Sequence, residues 1–249
     1  MLRDGNRDNP SGGVAGDSEM PTPSISIVIP TLNERENLTR ILASCDPPED
    51  VEIIVVDGGS VDGTPEFAAR SGVKLVISEP GRGKQMNVGA KMGKGEILLF
   101  LHGDTILPQG YHARVISLLE TEGVVAGAFL LSIEGRPVSL RIIERVVNLR
   151  ARILQMPFGD QALFMKKSVF EQVGGFREIP LMEDFDLVRA LRKLGKIGMA
   201  EESVLTSGRR WERFGPWRTT LMNQIAIVAH LLGISPVSIA KFYHRKGRD

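Results

Sequence analysis

Acidic residues stand at three places in the sequence where a buried strand is expected to end or a helix to begin. Asp57 follows the apolar run "VEIIVV", Asp104 is the third residue after "ILLFL", and Glu183-Asp184 opens the segment "EDFDLVRALRKLG". Open parallel sheets bind ligands beyond the carboxyl ends of their strands, where carboxylates can serve as bases or metal ligands. Each acid alone could be a turn former or helix cap, but their shared placement predicts one cleft.

Two glycine-rich segments fit neither of the common nucleotide-binding fingerprints. "DGGSVDG" follows the second predicted strand and lacks the spacing G-x-G-x-x-G, and in "GRGKQMNVG" Met86 stands where the third glycine is needed. No G-x-x-x-x-G-K-[ST] motif occurs in the chain, so a nicotinamide dehydrogenase and a P-loop enzyme are disfavoured. Arg82 and Lys84 beside glycines are typical of a phosphate contact, with a solvated basic turn as the alternative.

The elements that must position these residues alternate between strand and helix. The runs "SISIVIP", "VEIIVV", "VKLVIS" and "EILLFLH" read as strands, and the helices between them begin at an Asn33–Glu36 capping box, at Pro65 and in the glycine-rich segment. This order predicts a parallel α/β sheet with helices on both faces. Further strands ("VVAGAFLLSI", "ALFMKK", "KIGMAEESVLTS") and amphipathic helices ("SLRIIERVVNLRARIL", "MEDFDLVRALRKLG") complete one domain.

Composition and charge narrow the class of protein. The 249 residues carry a net charge of +1, which does not indicate a nucleic-acid partner. One cysteine, Cys45, excludes an internal disulfide and fits a reducing, cytoplasmic location. Residues 1–23 lack an apolar stretch and are expected to be a disordered tail. The apolar stretch 221–234 is shorter than the ~20 residues of a membrane span; packing on the domain is expected, with peripheral contact to the inner face of the membrane left open.

The ordered motifs "SIVIPTLNERENL", "IIVVDGGSVDGT", "GRGKQMNVGA", "LLFLHGDTILP", "GGF" and "MEDFDL" resemble the family 2 glycosyltransferases of the GT-A type. The resemblance covers about residues 24–215, and it is closest to a bacterial stand-alone subgroup with "FGDQALF", "PLMEDFDL" and "TSGRRWERFG". It implies a Rossmann-type, mostly parallel sheet sandwiched by helices in residues 24–215, and a C-terminal helical extension in residues 216–249. It also implies a hexosyltransferase-like enzyme.

The resemblance further implies a UDP- or GDP-sugar as donor and an unidentified acceptor, lipid-linked or small. The nucleotide side would be bound by residues of the first two strand ends, the glycine segment and the fourth strand end: Pro30, Thr31, Glu34, Asp57, Gly58, Ser60, Asp62, Arg82, Asn87 and His102. The donor sugar, diphosphate or acceptor would meet a second set: Gly159, Asp160, Gln161, Arg209, Arg210 and Trp211.

For the reaction itself, the resemblance implies roles for three acids. Asp104 matches the last acid of the family's Asp-x-Asp, which holds Mg²⁺ or Mn²⁺ against the diphosphate. Asp184 matches the acid proposed as catalytic base, with Glu183 beside it. This sequence departs from the pattern at His102, which replaces the first acid of Asp-x-Asp, so the ribose contact of that carboxylate is not carried over.

Three hypotheses follow, led by an inverting, metal-assisted sugar transferase. A nucleotidyltransferase would share a similar sheet, but its glycine-rich loop would follow the first strand, where this chain has "PTLNERENL". A non-catalytic nucleotide-binding protein would keep Asp57 and Asp104 without a base, and the presence of Glu183-Asp184 argues against it.

Overall fold

A computed structural model describes residues 24–45 and 47–245, so the predicted tail 1–23 lies outside the described residues. In the described part, eight strands form one sheet: β1 Ile25–Thr31, β2 Val51–Asp57, β3 Lys74–Ile77, β4 Ile97–Phe100, β5 Thr105–Ile106, β6 Val124–Ile133, β7 Phe164–Lys166 and β8 Lys196–Thr206. Their spatial order is β3-β2-β1-β4-β7-β6-β8-β5.

Helices connect and cover these strands. They are α1 Arg35–Cys45, α2 Thr64–Arg70, α3 Arg82–Met92, α4 Tyr111–Leu119, α5 Val138–Leu154, α6 Lys167–Gln172, α7 Glu183–Leu191, α8 Arg209–Phe214, α9 Pro216–Leu231 and α10 Pro236–Arg245. A short 3₁₀ helix spans Gly159–Gln161. Among the helices of the described ranges, none combines the length and apolar character needed to cross a bilayer.

The first four strands confirm the predicted parallel sheet. β1 pairs in parallel with β2 and β4, and β2 pairs in parallel with β3. The register places Thr31 opposite Asp57, so the ends of β1 and β2 meet at the same edge. Beyond β4 the sheet is mixed, because β7 runs antiparallel to β4 and β6, while β8 runs parallel to β6. The fold is therefore α/β with a mostly parallel sheet, as expected.

Apolar side chains are buried on both faces of the sheet. In β1, Ile27 and Ile29 pack into one core cluster, whereas Val28 between them packs into the other. All three are fully buried. This two-sided burial explains why the central strands read as continuous apolar runs rather than as alternating ones.

The predicted start of the first helix is wrong. Asn33 does not cap α1 with Glu36, because its backbone is left-handed (φ 56°) and its side-chain oxygen accepts the Val61 N–H at 2.9 Å. The N-terminus of α1 is instead bonded by Asp62, whose carboxylate accepts the Arg35 N–H at 3.1 Å. A side chain from another loop thus replaces the local cap, which sequence spacing cannot reveal.

Candidate functional site

Asp57 organises the turn that follows β2. Its carboxylate accepts the N–H groups of Gly59 and Ser60 at 2.9 and 2.8 Å, and the hydroxyls of Ser60 and Thr31 at 2.5 and 3.2 Å. The side chain is buried. Four internal donors fill the usual acceptor capacity of a carboxylate, so in this structure Asp57 shapes the loop.

The loops after β1 and β2 are joined into one wall. The Asn33 N–H donates to the Ser60 hydroxyl at 2.8 Å, and Asp62 accepts the Thr64 N–H at 3.0 Å. The hydrogen bond from the Thr64 side chain lowers the pKa of Asp62. These bonds keep the loop containing Gly58, Ser60 and Asp62 against the end of β1, where the buried Pro30 and Thr31 lie.

Gln85 supports the same strand ends from α3, and the sequence analysis did not select it. Its side-chain amide donates to the carbonyls of Thr31 and Val56 at 2.9 and 2.8 Å, and the residue is buried. A Cβ at Gly58 would lie 3.0 Å from the Gln85 nitrogen. Gly58 is therefore the residue that lets this amide reach the strand ends. The only sequence signal was a glutamine next to the apolar Met86.

The end of β4, the 3₁₀ helix and the start of α7 meet at Asp184. Its carboxylate accepts the N–H groups of Gly159 and Phe185, each at 2.8 Å. A Cβ at Gly159 would lie 2.5 Å from His102 Nε2 and 3.2 Å from Asp184 Oδ2. His102, Gly159 and Asp184, which are far apart in the sequence, are therefore in close contact.

Arg82 and Glu183 form an ion pair beside this contact. Burial raises the pKa of Glu183 and outweighs the opposing effect of the Arg82 charge. Burial alone would lower the pKa of Arg82, but the carboxylates of Glu183, Asp184 and Asp160 raise it overall. Arg82 is thus a permanent cation surrounded by acids.

Four side chains around Asp184 have buried polar atoms without a hydrogen-bond partner within the described chain. The atoms are His102 Nε2, Asp160 Oδ1, Glu183 Oε2, and Nε and Nη2 of Arg150. Burial is the main cause of two pKa shifts in this group. It lowers the pKa of His102 to about 3, so the imidazole is neutral, and it raises the pKa of Asp160 to about 6. Such orphaned atoms are rare in native proteins, and their convergence indicates a site that meets a polar ligand.

Arg150 is a member of this group that the sequence analysis missed. It projects from α5, and its guanidinium carbon lies 3.7 Å from the centre of the Phe158 ring. Burial lowers its pKa, while the charges of Asp160 and Asp184 oppose that shift. The sequence feature that could have identified Arg150 is its position as a cation next to Ala151, on the buried side of an amphipathic helix.

Asp104, Glu34 and Arg209 form a neighbouring group. Arg209 donates to Glu34 at 3.2 Å, and its charge partly offsets the effect of burial, which raises the pKa of Asp104 and of Glu34. Asp104 has a hydrogen bond of 3.4 Å from the Thr105 hydroxyl. Across residues 24–45 and 47–245, no three or more His, Cys, Asp or Glu side chains are grouped to hold a metal.

The remaining predicted residues make contacts within the protein. Both ends of the Asn87 amide bond the backbone of Phe176, at 2.8 and 2.9 Å. Gln161 is buried and donates to the Phe129 carbonyl at 3.0 Å. Trp211 packs in the hydrophobic core, and Arg210 stacks 4.3 Å from the centre of the Tyr243 ring. These contacts do not join the four side chains to the group around Asp184.

Comparison with known proteins gives matches in sequence and in structure. The sequence profile of glycosyl transferase family 2 matches residues 26–177. Glycosyltransferase AglE of Haloferax volcanii is 34% identical over 113 residues, which are 41% of this chain and 37% of that protein. An uncharacterized glycosyltransferase of Mycobacterium tuberculosis is 30% identical over 121 residues, 48% of this chain and 52% of that protein. The chain thus spans about half or less of these relatives.

A solved structure shares the fold. The mannosyltransferase from Pyrobaculum calidifontis, in complex with GDP-Man and Mn²⁺, superposes with a TM-score of 0.63 at 19% identity, over 90% of this chain and 69% of that one. This likeness confirms the expected GT-A-like arrangement of the mostly parallel sheet and its flanking helices.

Proposed function

The chain belongs to glycosyl transferase family 2, and from this membership we propose that it transfers a hexose from a UDP- or GDP-sugar to an acceptor hydroxyl, with inversion at the anomeric carbon. The observation that carries the proposal is the convergence of unpartnered buried polar atoms on Asp184. The GDP-Man bound by the Pyrobaculum neighbour supports a nucleotide-sugar donor. The proposal includes the bacterial stand-alone subgroup carrying "FGDQALF" and "TSGRRWERFG".

Asp184 is the proposed catalytic base. The N–H groups of Gly159 and Phe185 hold its two carboxylate oxygens, so the side chain has a fixed orientation. In the transfer, the acceptor oxygen bonds to the anomeric carbon while the bond to the diphosphate oxygen breaks with its electron pair. The acceptor proton passes to Asp184. Glu183 would keep Arg82 in place beside this centre.

The leaving diphosphate develops negative charge, and Arg82 and Arg209 are the proposed cations that stabilise it. Asp104 fits a divalent cation, since its partly buried carboxylate has one long hydrogen bond and a pKa raised by burial. Mg²⁺ or Mn²⁺ held by Asp104 and by diphosphate oxygens would supply further charge neutralisation. His102, neutral at physiological pH, would offer its ring N–H or lone pair to the ribose or phosphate.

The nucleoside is proposed to lie against the wall formed by the loops after β1 and β2. Asp57 supports this wall through the turn it holds, and Glu34 borders both the wall and Arg209. We propose residues 24–215 as the transferase domain and residues 216–249 as a helical extension, in a cytoplasmic protein. The buried Cys45 thiol, whose pKa burial raises to about 12, supports a structural cysteine in a reducing compartment.

The test is donor binding and turnover by the full chain. Calorimetry with UDP-glucose, UDP-N-acetylglucosamine and GDP-mannose, each with and without Mn²⁺, is expected to give Mn²⁺-dependent binding of at least one donor. Asp104→Asn should remove the Mn²⁺ dependence, whereas Glu66→Gln, an exposed change on α2, should keep it. Failure of all three donors to bind, with or without Mn²⁺, would contradict the proposal. Release of pyrophosphate from UTP or GTP in the presence of a sugar 1-phosphate, without release of nucleoside diphosphate from any nucleotide sugar, would favour a nucleotidyltransferase.

A further inference from the structure

Helix α9 carries a stripe of apolar side chains on the outside of the molecule. Trp217, Leu221, Ile225, Val228 and Leu232 at its end are 42–76% exposed, and their spacing of three or four residues places them on one face. In a helix packed on a water-soluble domain the apolar stripe normally faces the core. The outer face of α9 therefore has the polarity of a buried surface.

The inward face of α9 carries both apolar and polar side chains: Ala226 is buried, and Ile227 packs against the core. The Thr219 hydroxyl donates to the Arg210 carbonyl at 3.5 Å, and Asn223 accepts the Tyr243 hydroxyl at 2.5 Å. His230 Nε2 lies 2.7 Å from Asp186 of α7. These hydrogen bonds and the packing of Ala226 and Ile227 hold α9 to the domain, and the outer apolar stripe stays exposed.

Helix α5 also exposes a stripe of apolar side chains, although Leu140 and Ile143 on its other side are buried in the core. Val138, Ile142, Val146, Leu149 and Ile153 recur every three or four residues and are 41–75% exposed. The five side chains form a second apolar stripe along the whole length of the helix.

The inward side of α5 pairs with the open edge of β6. Asn148 accepts the Leu131 N–H at 2.8 Å and donates to the Leu131 carbonyl at 2.9 Å, and Glu144 accepts the Ser132 hydroxyl at 3.3 Å. The polar side chains of α5 thus replace a missing strand partner of β6, and its buried apolar residues pack in the core. The outward apolar stripe takes part in neither contact and stays exposed.

The two helices that carry the stripes are in contact with each other. Together the ten residues form what we call the α5–α9 face. Exposed apolar surface of this extent marks a site of protein or membrane contact. Arg150, on the inner side of the same helix, belongs to the candidate site, so α5 contributes to both the site and the face.

Positive charge predominates in the two chain segments that carry this face. Residues 136–154 contain five arginines and one glutamate, and residues 209–245 contain five arginines, one lysine and one glutamate, in a chain whose net charge is only +1. Arg136, Arg145 and Arg218 are exposed. A symmetric contact with a second copy would bring two such cationic rims together, whereas an anionic bilayer is complementary to both the rim and the stripes.

We infer that the α5–α9 face lies in the headgroup region of an anionic lipid bilayer, with its aliphatic residues in the acyl boundary and its arginines on lipid phosphates. The binding is interfacial, since no described helix is fit to span. The sequence indicated only residues 221–234 as a segment for peripheral membrane contact. The structure adds the exposed stripe of α5. The inference goes beyond the proposed transferase activity, because vesicle binding is measured without donor or acceptor.

The first experiment is co-sedimentation of the full chain with vesicles containing roughly one-third phosphatidylglycerol, against pure phosphatidylcholine. We expect binding to the anionic vesicles that weakens with salt. The chain has two tryptophans, Trp211 buried and Trp217 61% exposed, so a blue shift of the fluorescence should accompany binding and be lost in Trp217→Phe. Absence of binding to anionic vesicles at low salt would overturn the inference.

The second experiment locates the surface. Leu221→Ser/Val228→Ser on α9 and Val146→Ser/Leu149→Ser on α5 should each lower the partition coefficient by roughly tenfold or more. The matched control is Val61→Ser/Ile77→Ser, which removes two apolar side chains exposed elsewhere and should bind as the parent does. Thermal melts check that each variant is folded. Equal binding by the face variants, or a solution dimer that these variants dissociate, would show that lipid does not cover this face.

Discussion

Arg82 and Glu183 form an ion pair across 101 positions of the sequence, and it joins the N-termini of α3 and α7. The Glu183 side chain is 1% exposed and that of Arg82 is 40% exposed. An arginine in the first turn of a helix is opposed by the helix dipole. The buried carboxylate from α7 offsets this and holds the cation beside Asp184.

Loss of the cation is expected to destabilise the fold. Arg82→Gln should lower the free energy of unfolding by about 3 kcal/mol, because Glu183 remains buried without its partner. The double variant Arg82→Gln/Glu183→Gln should recover part of this loss. Urea denaturation measures both. Arg40→Gln is the control: it breaks the half-exposed pair with Glu134 and should cost under about 1 kcal/mol. Equal losses of unfolding free energy in Arg82→Gln and Arg40→Gln would contradict the claim that the burial of Glu183 makes its pairing with Arg82 important.

Asp184→Asn tests the proposed base. The amide oxygen can still accept the Gly159 N–H, but it cannot take up a proton, so turnover should fall by roughly a hundredfold to ten-thousandfold. Donor affinity, measured by calorimetry, should stay nearly unchanged. Glu66→Gln, on the exposed side of α2, should retain full rate. Wild-type turnover by Asp184→Asn would remove this residue as the base.

Arg150→Met separates a ligand contact from a structural role. The thioether chain can still pack on Phe158, and removal of a buried cation without a hydrogen-bond partner at two nitrogens should leave stability equal or higher. If Arg150 binds a substrate group, KM for donor or acceptor should rise by roughly tenfold or more. Arg145→Met, exposed on the same helix, is the control. A large loss of stability with unchanged KM would assign Arg150 to the fold alone.

Asp160→Asn is expected to increase stability by an amount that depends on pH. The folded-state pKa of Asp160 is about 6, above its ordinary value of 3.8. Between these values the folded protein holds a proton that the unfolded chain has lost, so the stability of the parent falls as pH rises through this window. Relative to the parent, the variant should gain up to roughly 3 kcal/mol at pH 8 and nothing below pH 3.8.

Asp62→Asn is the opposing control for this pH series. The hydrogen bond from Thr64 lowers the pKa of Asp62 in the folded protein. The ionised carboxylate therefore stabilises the fold at pH values above 3.8, the ordinary pKa of aspartate, and this contribution is lost as the pH falls through the folded-state pKa. The variant should therefore be less stable than the parent at neutral pH and equal to it in acid. If the stability difference from the parent changed with pH in the same direction for Asp160→Asn and Asp62→Asn, burial would not be the cause that raises the pKa of Asp160.

The alternation of strands and helices up to β4 was predictable because it depends on local patterns. Apolar runs bounded by turn residues mark β1, β2 and β4, and parallel pairing then places Thr31 and Asp57 at one edge. The same local rule failed at Asn33, where a carboxylate from a separate loop bonds the N-terminus of α1.

The sequence by itself determined the α/β fold, the family and the acids that follow the strands, since these depend on residue type and order. Only the tertiary structure decided which polar groups are left without partners. Asp57 and Asn87 are occupied by backbone groups, whereas His102, Asp160 and Arg150 are not. The tertiary structure also decided that the stripes of α5 and α9 face outward. Both decisions depend on what packs beside a side chain, and residues distant in the sequence supply those neighbours.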